Sequence, residues 1–578
     1  MNREKYTLIL IFIVTFSLFL VIINFLAVSE VETEEWGHYV DGRGIISFYV
    51  RSTTSGESSR NAHSLEPYMI RWLEIEGIYY LMLPNSADAT WLTVYFQASA
   101  PVFIGSYQLI SGDYTDIFAN RDGESVILSS DGYYYEVIVM ESSEIATMFI
   151  QTESGNLDDV HERRRHRETA WILMICADGE TILYDGKADR FNGRGNATWN
   201  RDKRPYNIRL TESTDLLGLG DAQHRHWALL AEHFDDSRLR NTISHHLAQE
   251  VGLEAAVRVR PVDVYINNEY MGLYLLTERV RIDTILPITD LEAATSRLNQ
   301  GRLSEFPHVG DMEFAPNARK YFNIPHNPPD ITGGYLLEWQ LSRRYRRNPS
   351  AFATSRGQAV MLRAPSYASF EQMEYISHLI QNMEDAVYSP TGYNALGRHF
   401  TDYLDIQSFA MMYVFQEFTM NLDAGITSFF VYKESDLASD GLLRAAPPWD
   451  FDNTFGRFGH RDGIDLRNPE LFWVNQGMIF ENDDDVPHIF TALWKHEQFR
   501  ELSMELWHNY FAPVVERLID NSVETRILSS VYEYTDVIRD SLEMEWVRWE
   551  MEVYHQETTD FLIDFITRRI RFLNEEWD

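Results

Sequence analysis

The texture of this chain changes twice, and those changes constrain its fold more than any single motif does. Between residues 36 and 142, short β-branched and aromatic runs such as Ile45-Ile46-Ser47-Phe48-Tyr49-Val50 and Trp91-Leu92-Thr93-Val94-Tyr95-Phe96 alternate with clusters of Asn, Asp, Gly and Ser. That punctuation predicts a small all-β, sandwich-like accessory domain. From residue 143 to about 485, strands such as Val262-Asp263-Val264-Tyr265-Ile266 mix with helical spacing. Leu239, Ile243, Leu247 and Val251, for instance, recur at every fourth position of an amphipathic helix. Residues 371–387 and 406–418 also read as helices, and residues 298–327, rich in Pro, Asn and Gly, as a long loop or insertion. From 486 to 578 the pattern is almost wholly helical, closing on Phe561, Leu562, Phe565, Ile566, Ile570 and Leu573. The expected fold class is therefore α+β, with a large mixed domain over 143–578 whose last part is helical.

Residues 1–35 carry a separate expectation. Arg3 and Lys5 precede an uncharged apolar run over residues 7–28, and a spanning helix needs about 20 such residues. Glu30, Glu32, Glu34 and Glu35 follow. This pattern predicts a transmembrane signal-anchor that leaves the bulk of the chain extracytoplasmic, at the cell surface. Cleavage near Ala27-Val28-Ser29 would instead give a secreted protein.

Charge and cysteine content exclude two classes. The net charge is −37, from 50 basic and 87 acidic residues, so the chain lacks the basic field a nucleic-acid partner requires. Two basic runs, Arg163-Arg164-Arg165-His166-Arg167 and Arg343-Arg344-Tyr345-Arg346-Arg347, read as solvated loops, the second also as a contact for an anionic ligand. Cys176 is the only cysteine, which rules out an intrachain disulfide and thiol-pair chemistry. Its apolar neighbours place it on a buried strand.

Several constellations carry possible chemistry. In Trp449-Asp450-Phe451-Asp452, two carboxylates at period two would share one side of a strand, and a hard divalent cation would relieve their repulsion. Alone, the pair reads better as an acidic turn. Asn192-Gly193-Arg194-Gly195-Asn196 is a glycine-bracketed turn whose N–H groups can face an anion, with Arg194 adding charge. Lys203-Arg204-Pro205 then leads into a strand, where a lysine can reach phosphate oxygens. Glu278 ends an otherwise apolar strand, and a carboxylate there needs a partner, for which Lys203 is a candidate. Asp423 follows a helix, where the dipole disfavours a carboxylate, so it reads either as a site residue or as a loop cap.

The order of these motifs is recognisable. The series G-R-G-N-A-T-W from Gly193, K-R-P-Y from Lys203, W-A-L-L from Trp227, S-R-L-R-N from Ser237, Y-I-N-N-E-Y-M-G-L-Y-L-L-T-E from Tyr265, G-G-Y-L-L-E from Gly333, N-L-D from Asn421 and P-W-D-F-D from Pro448 resembles the CotH family of spore-coat protein H-like atypical kinases. The resemblance runs from about Ile145 to the C-terminus. It implies an atypical protein-kinase-like fold that binds ATP with Mg²⁺ and phosphorylates Ser or Thr of a surface or spore-coat protein. On that resemblance Asp423 is the catalytic aspartate, and Asp450 and Asp452 are the metal-binding element. Lys203 contacts phosphate and pairs with Glu278, while Arg204 competes with Lys203 for the phosphate. Arg194 and Asn196 complete the nucleotide-binding set. Many members carry an asparagine where this chain has Ser428, and serine is a poorer metal ligand than an amide. Two rival readings stand beside this one: a non-catalytic coat-assembly or adhesion scaffold that keeps the fold, and metal-assisted hydrolysis of a surface glycan.

Overall fold

The computed structural model describes residues 42–52, 69–119, 124–220, 223–286, 288–457, 460–461, 464–474, 488–551 and 555–578. At its centre seven strands close into a barrel. In barrel order these are Ala146–Thr152, Glu168–Ile175, Ile182–Gly193, Tyr206–Thr214, His224–Leu230, Glu269–Glu278 and Val259–Ile266. All neighbours are antiparallel except the closing pair, where Ala146–Thr152 runs parallel to Val259–Ile266. Alternate residues fill the interior: Met148 and Ile150, Ile172 and Met174, Trp227 and Leu229, Val262 and Val264.

The strands read as continuous apolar runs because their outer faces are covered too. Phe149, Leu173, Ile175, Tyr265 and Tyr270 pack outward into one apolar cluster with Phe48, Trp72, Leu81 and Val137. Phe48, Leu81 and Val137 belong to a four-stranded and a six-stranded sheet built from residues 45–141, and Trp72 sits at the link between the two. Hydrogen bonds from Tyr265 Oη to the Met82 carbonyl (3.0 Å) and from Arg71 N to the Asn268 carbonyl (2.8 Å) tie the sheets to the barrel. Asn267 and Asn268 both take left-handed backbone conformations (φ 51° and 74°), as a two-residue hairpin turn demands.

Beyond the barrel lies a second seven-stranded sheet, backed by helices Phe370–Val387 and Ile406–Thr419 and by the C-terminal helices. Residues 298–327 are not simply an insertion loop. They supply strands His308–Gly310 and Arg319–Phe322, which extend this sheet through Ala351–Ala353. Strands of three and four residues are too short to show alternation, and their register comes from the neighbouring strand. The Arg240–Glu250 helix also departs from expectation. It buries Arg240, Asn241, Ser244 and His245 as well as its apolar residues, so it has no solvent face to make it amphipathic.

The fold class read from the sequence needs one correction. The described chain is mixed α+β with several sheets and a closed barrel, and an N-terminal transmembrane helix is not part of it. Among the described residues no helix is long and apolar enough to cross a membrane. The run at residues 7–28 that prompted the expectation lies outside them. Apolar length alone records a tendency to leave water, and the long helices actually described, such as Val531–Arg548, are amphipathic or charge-bearing elements packed on the core.

Candidate functional site

A cleft of about 610 Å³ separates the barrel from the second sheet. One wall is acidic and is formed by Asp423, Asp450, Asp452 and Glu232. The cationic part of the lining is Arg164, Arg194, Arg279, Arg344 and Arg363, the last paired with Glu338.

The acidic wall is shaped by two turns. Helix Ile406–Thr419 stops at Met420, whose left-handed conformation (φ 47°) turns the chain into Asn421-Leu422-Asp423. Asn421 Oδ1 accepts from Asp423 N at 3.0 Å, and Asn421 is itself fixed by Trp473 Nε1, which donates to its carbonyl at 3.0 Å. Asp450 and Asp452 do face one space, but not through strand pleating. The segment is irregular, Asp450 sits at φ 71°, and Asn241 Oδ1 accepts from Phe451 N at 2.9 Å. A non-glycine residue held at positive φ is backbone strain of the kind that accumulates at functional sites.

The two aspartates differ. Asp450 Oδ2 accepts from the Ser428 hydroxyl at 2.8 Å, whereas Asp452 Oδ1 is buried without a hydrogen-bond partner, as is Asn453 Oδ1. Burial, and then the charges of Asp450 and Asp423, push the Asp452 carboxyl well above the usual range. Glu232, at φ 50°, is pushed up to about 8 by burial and by Asp235. A buried carboxylate oxygen without a hydrogen-bond partner has the chemistry to serve as a donor to a cation. Among the described residues no three His, Cys, Asp or Glu side chains converge closely enough to hold a metal alone. That donor set suits Mg²⁺, which is commonly held by one or two carboxylates and completed by phosphate oxygens and water.

The cationic wall begins at the glycine turn. A Cβ on Gly193 would lie 2.1 Å from the Trp199 ring, and one on Gly195 (φ +82°) would lie 2.5 Å from Thr198 Oγ1. Only glycines fit this close turn. Arg194 N donates to the Pro205 carbonyl at 3.0 Å, and its guanidinium lies 5.5 Å from the Trp449 ring centroid. Burial lowers Arg194 to about 10 and, with the neighbouring Arg194 charge, Arg279 to about 9. Asp450 offsets part of the Arg194 shift, and a bound anion would likewise favour the charged form of both buried guanidiniums.

Of the residues singled out in the sequence, the structure brings Arg194, Asn196, Asp423, Asp450 and Asp452 to this cleft. It does not bring Lys203, Arg204 or Glu278 to its lining. Lys203 is buried behind it, donating to Glu545 Oε2 at 2.5 Å and to the Leu273 carbonyl. Glu278 is held by Arg258 (2.7 Å) and His224 (2.8 Å) instead of Lys203. Arg204 donates to the His161 carbonyl at 2.8 Å and lies over Trp199. Sequence reasoning missed Glu232, Arg279, Arg363 and Glu545. Glu545 had a faint signal, a charge on the helical face that carries Ile538 and Leu542.

A barrel and a helix-backed sheet thus enclose a cleft lined by both carboxylates and arginines. The chain belongs to the CotH kinase protein family, whose family model matches residues 191–573. The match begins at the glycine turn and includes Arg194, Asn196, Lys203, Arg204, Glu278, Asp423, Asp450 and Asp452, while Arg164 lies outside it. Comparison with curated proteins gives no match.

Proposed function

We propose that this protein is a Mg²⁺-dependent phosphotransferase that moves the γ-phosphoryl group of ATP to a Ser or Thr hydroxyl of a surface or coat protein. The observation that carries the reading is the cleft's polarity. Asp452 Oδ1 is buried without a hydrogen-bond partner, and Arg194 and Arg279 are buried cations lining the same cleft. Phosphoryl transfer asks of a protein chiefly positioning and charge neutralisation, which these walls supply.

Asp452, with Asp450 beside it, would hold Mg²⁺, which supplies charge neutralisation on the phosphates. Arg194 and Arg279 bind the phosphate oxygens through guanidinium N–H groups, a role the sequence had given to Lys203. Asp423, braced by Asn421, orients the acceptor hydroxyl and takes its proton as the oxygen attacks phosphorus. The new bond is O–P, the bond to the ADP oxygen breaks, and ADP leaves with the displaced electron pair. Trp449 and Phe430 shield the cleft from water.

The test is nucleotide binding with and without Mg²⁺, followed by phosphate incorporation into a casein-type acceptor. Asp423→Asn should keep Mg²⁺-dependent binding and lose transfer. A chain showing neither binding nor transfer overturns the reading. The scaffold alternative draws on one observation, the enclosure of Lys203 away from the cleft. It predicts instead that Asp423→Asn leaves function in the organism intact.

A further inference from the structure

The two basic runs, at residues 163–167 and 343–347, look in sequence like unrelated solvated loops. The structure brings them together at the mouth of the cleft. Arg164, Arg165 and Arg344 line it, and Arg347 Nη1 donates to Asn196 Oδ1 on the glycine turn at 3.4 Å. Arg164 donates to the Gly195 carbonyl on the same turn. The charges of Arg165 and Arg347 both act on Arg164, after burial, to lower its proton affinity, so the runs are neighbours electrostatically as well as in space.

Their pairing is asymmetric. The outward arginines have carboxylates: Arg163 pairs with Asp159 at 3.5 Å, and Arg346 pairs with Glu313. The inward ones have only neutral hydrogen-bond partners among the described residues. Arg344 donates to Gln340 Oε1 (2.9 Å) and Thr427 Oγ1 (3.1 Å), and Arg164 and Arg347 hold the glycine turn. In a chain of net charge −37, these three together with Arg165 at one opening are a local reversal of the protein's net charge. Arg194 and Arg279 already serve the phosphates deeper in the cleft, so the rim charges are left for a second anion.

We infer that the rim formed by Arg164, Arg165, Arg344 and Arg347 is the docking surface for an acidic acceptor segment, a peptide whose Ser or Thr is flanked by several Asp or Glu residues. The charges are spread along two runs, which fits carboxylates distributed along a strand of peptide better than one compact dianion. The inference deepens the phosphotransferase reading and rests on it for the word acceptor, but peptide binding itself needs no nucleotide and no turnover.

The experiment uses the full chain and fluorescein-labelled serine peptides, read by anisotropy without nucleotide. The Glu-flanked peptide is expected to bind, more weakly as salt rises, and its Lys-flanked counterpart is not. Arg165 and Arg347 are exposed, so Arg165→Ala/Arg347→Ala should preserve the thermal transition. It should weaken the Glu-flanked peptide by about tenfold at low salt, and Arg165→Ala alone should leave Mg²⁺–ATP affinity unchanged. Arg165→Glu/Arg347→Glu should transfer preference to the Lys-flanked peptide. Equal binding of both peptides overturns the inference. So does tighter binding of a phosphoserine peptide, equal binding of an oligonucleotide of the same charge, or an equal loss of ATP affinity in the Arg165→Ala variant. Absence of Mg²⁺–ATP binding in the native chain would count against the phosphotransferase reading while leaving the peptide result to stand or fall by itself.

Discussion

Lys203 and Glu545 are 342 positions apart in sequence, and their charged groups meet 2.5 Å apart in space with almost no solvent. Arg238 Nε reaches the other Glu545 oxygen at 2.6 Å, and Leu273 N donates to Oε2 at 2.7 Å. One carboxylate on helix Val531–Arg548 thus closes the glycine-turn side of the barrel, the Asp235–Arg238 turn and strand Glu269–Glu278 into a single knot. Burial alone would raise Glu545, but Arg238 and Lys203 outweigh it and hold the carboxyl below the usual range. Lys203 is therefore a structural cation in this geometry.

Removing one partner of a buried pair leaves the other uncompensated. Glu545→Gln strands two cations and is expected to cost about 3–5 kcal/mol in urea unfolding, and Lys203→Met somewhat less because Arg238 remains. A phosphate-binding lysine would behave oppositely, losing ATP affinity at nearly native stability. Unfolding curves set beside ATP titrations of the two variants separate these outcomes.

The pH dependence of stability follows from Glu232. Its carboxyl sits at about 8 in the folded chain against an ordinary value of 4.5, with burial the first cause and Asp235 the second. Between those values the folded state holds a proton that the unfolded state has released. Its contribution is fully present below about pH 4.5 and is lost as pH rises towards 8. Glu232→Gln removes the penalty and keeps the amide contact with Asn241. Its denaturation midpoint should match the native chain near pH 4.5 and exceed it at pH 8 by on the order of 2 kcal/mol. A constant difference across that range would show that Glu232 does not titrate as placed.

Asp452 carries a related prediction with a functional consequence. Burial and the charges of Asp450 and Asp423 make its ionised form unfavourable in the metal-free cleft. Asp452→Asn relieves that repulsion, so metal-free thermal stability should rise by about 1–2 kcal/mol. The further stabilisation that Mg²⁺ with ATP gives the native chain should disappear. If the variant is destabilised without metal, or still gains stability with Mg²⁺ and ATP, the aspartate is not the ligand.

What the sequence could and could not convey divides along physical lines. Alternating residues such as Met148 and Ile150 announce strands because burial has the period of the pleat, and Gly193 and Gly195 announce a close turn because a Cβ has no room. Asp450, Asp452 and Asp423 stand out because carboxylates are costly at such positions. Pairings carry no such mark. Lys203 looks for the nearest plausible carboxylate and Glu278 offers itself, yet Glu278 belongs to Arg258 and His224, and Lys203 to a helix at the far end of the chain. Arg279 was hidden by adjacency, since it follows the conspicuous Glu278 and reaches the cleft only through the barrel's curvature. The inward halves of the basic runs look like their outward halves until the fold chooses between them.

Ser428 offers the last test, because its backbone and side chain point to different residues. It sits at φ 53°, in the left-handed region where asparagine is several-fold enriched over most non-glycine residues. Its hydroxyl spends its proton on Asp450 Oδ2 at 2.8 Å and so occupies an oxygen of the acidic wall. Ser428→Asn should fit the existing backbone, with stability within about 0.5 kcal/mol of the native chain. The amide oxygen adds a neutral donor beside Asp450, and the amide N–H can replace the serine hydrogen bond. Mg²⁺ should therefore be needed at lower concentration to support ATP binding, which a Mg²⁺ titration at fixed ATP would read directly. A higher Mg²⁺ requirement in the variant would mean that the serine hydroxyl is itself part of the arrangement that holds the ion.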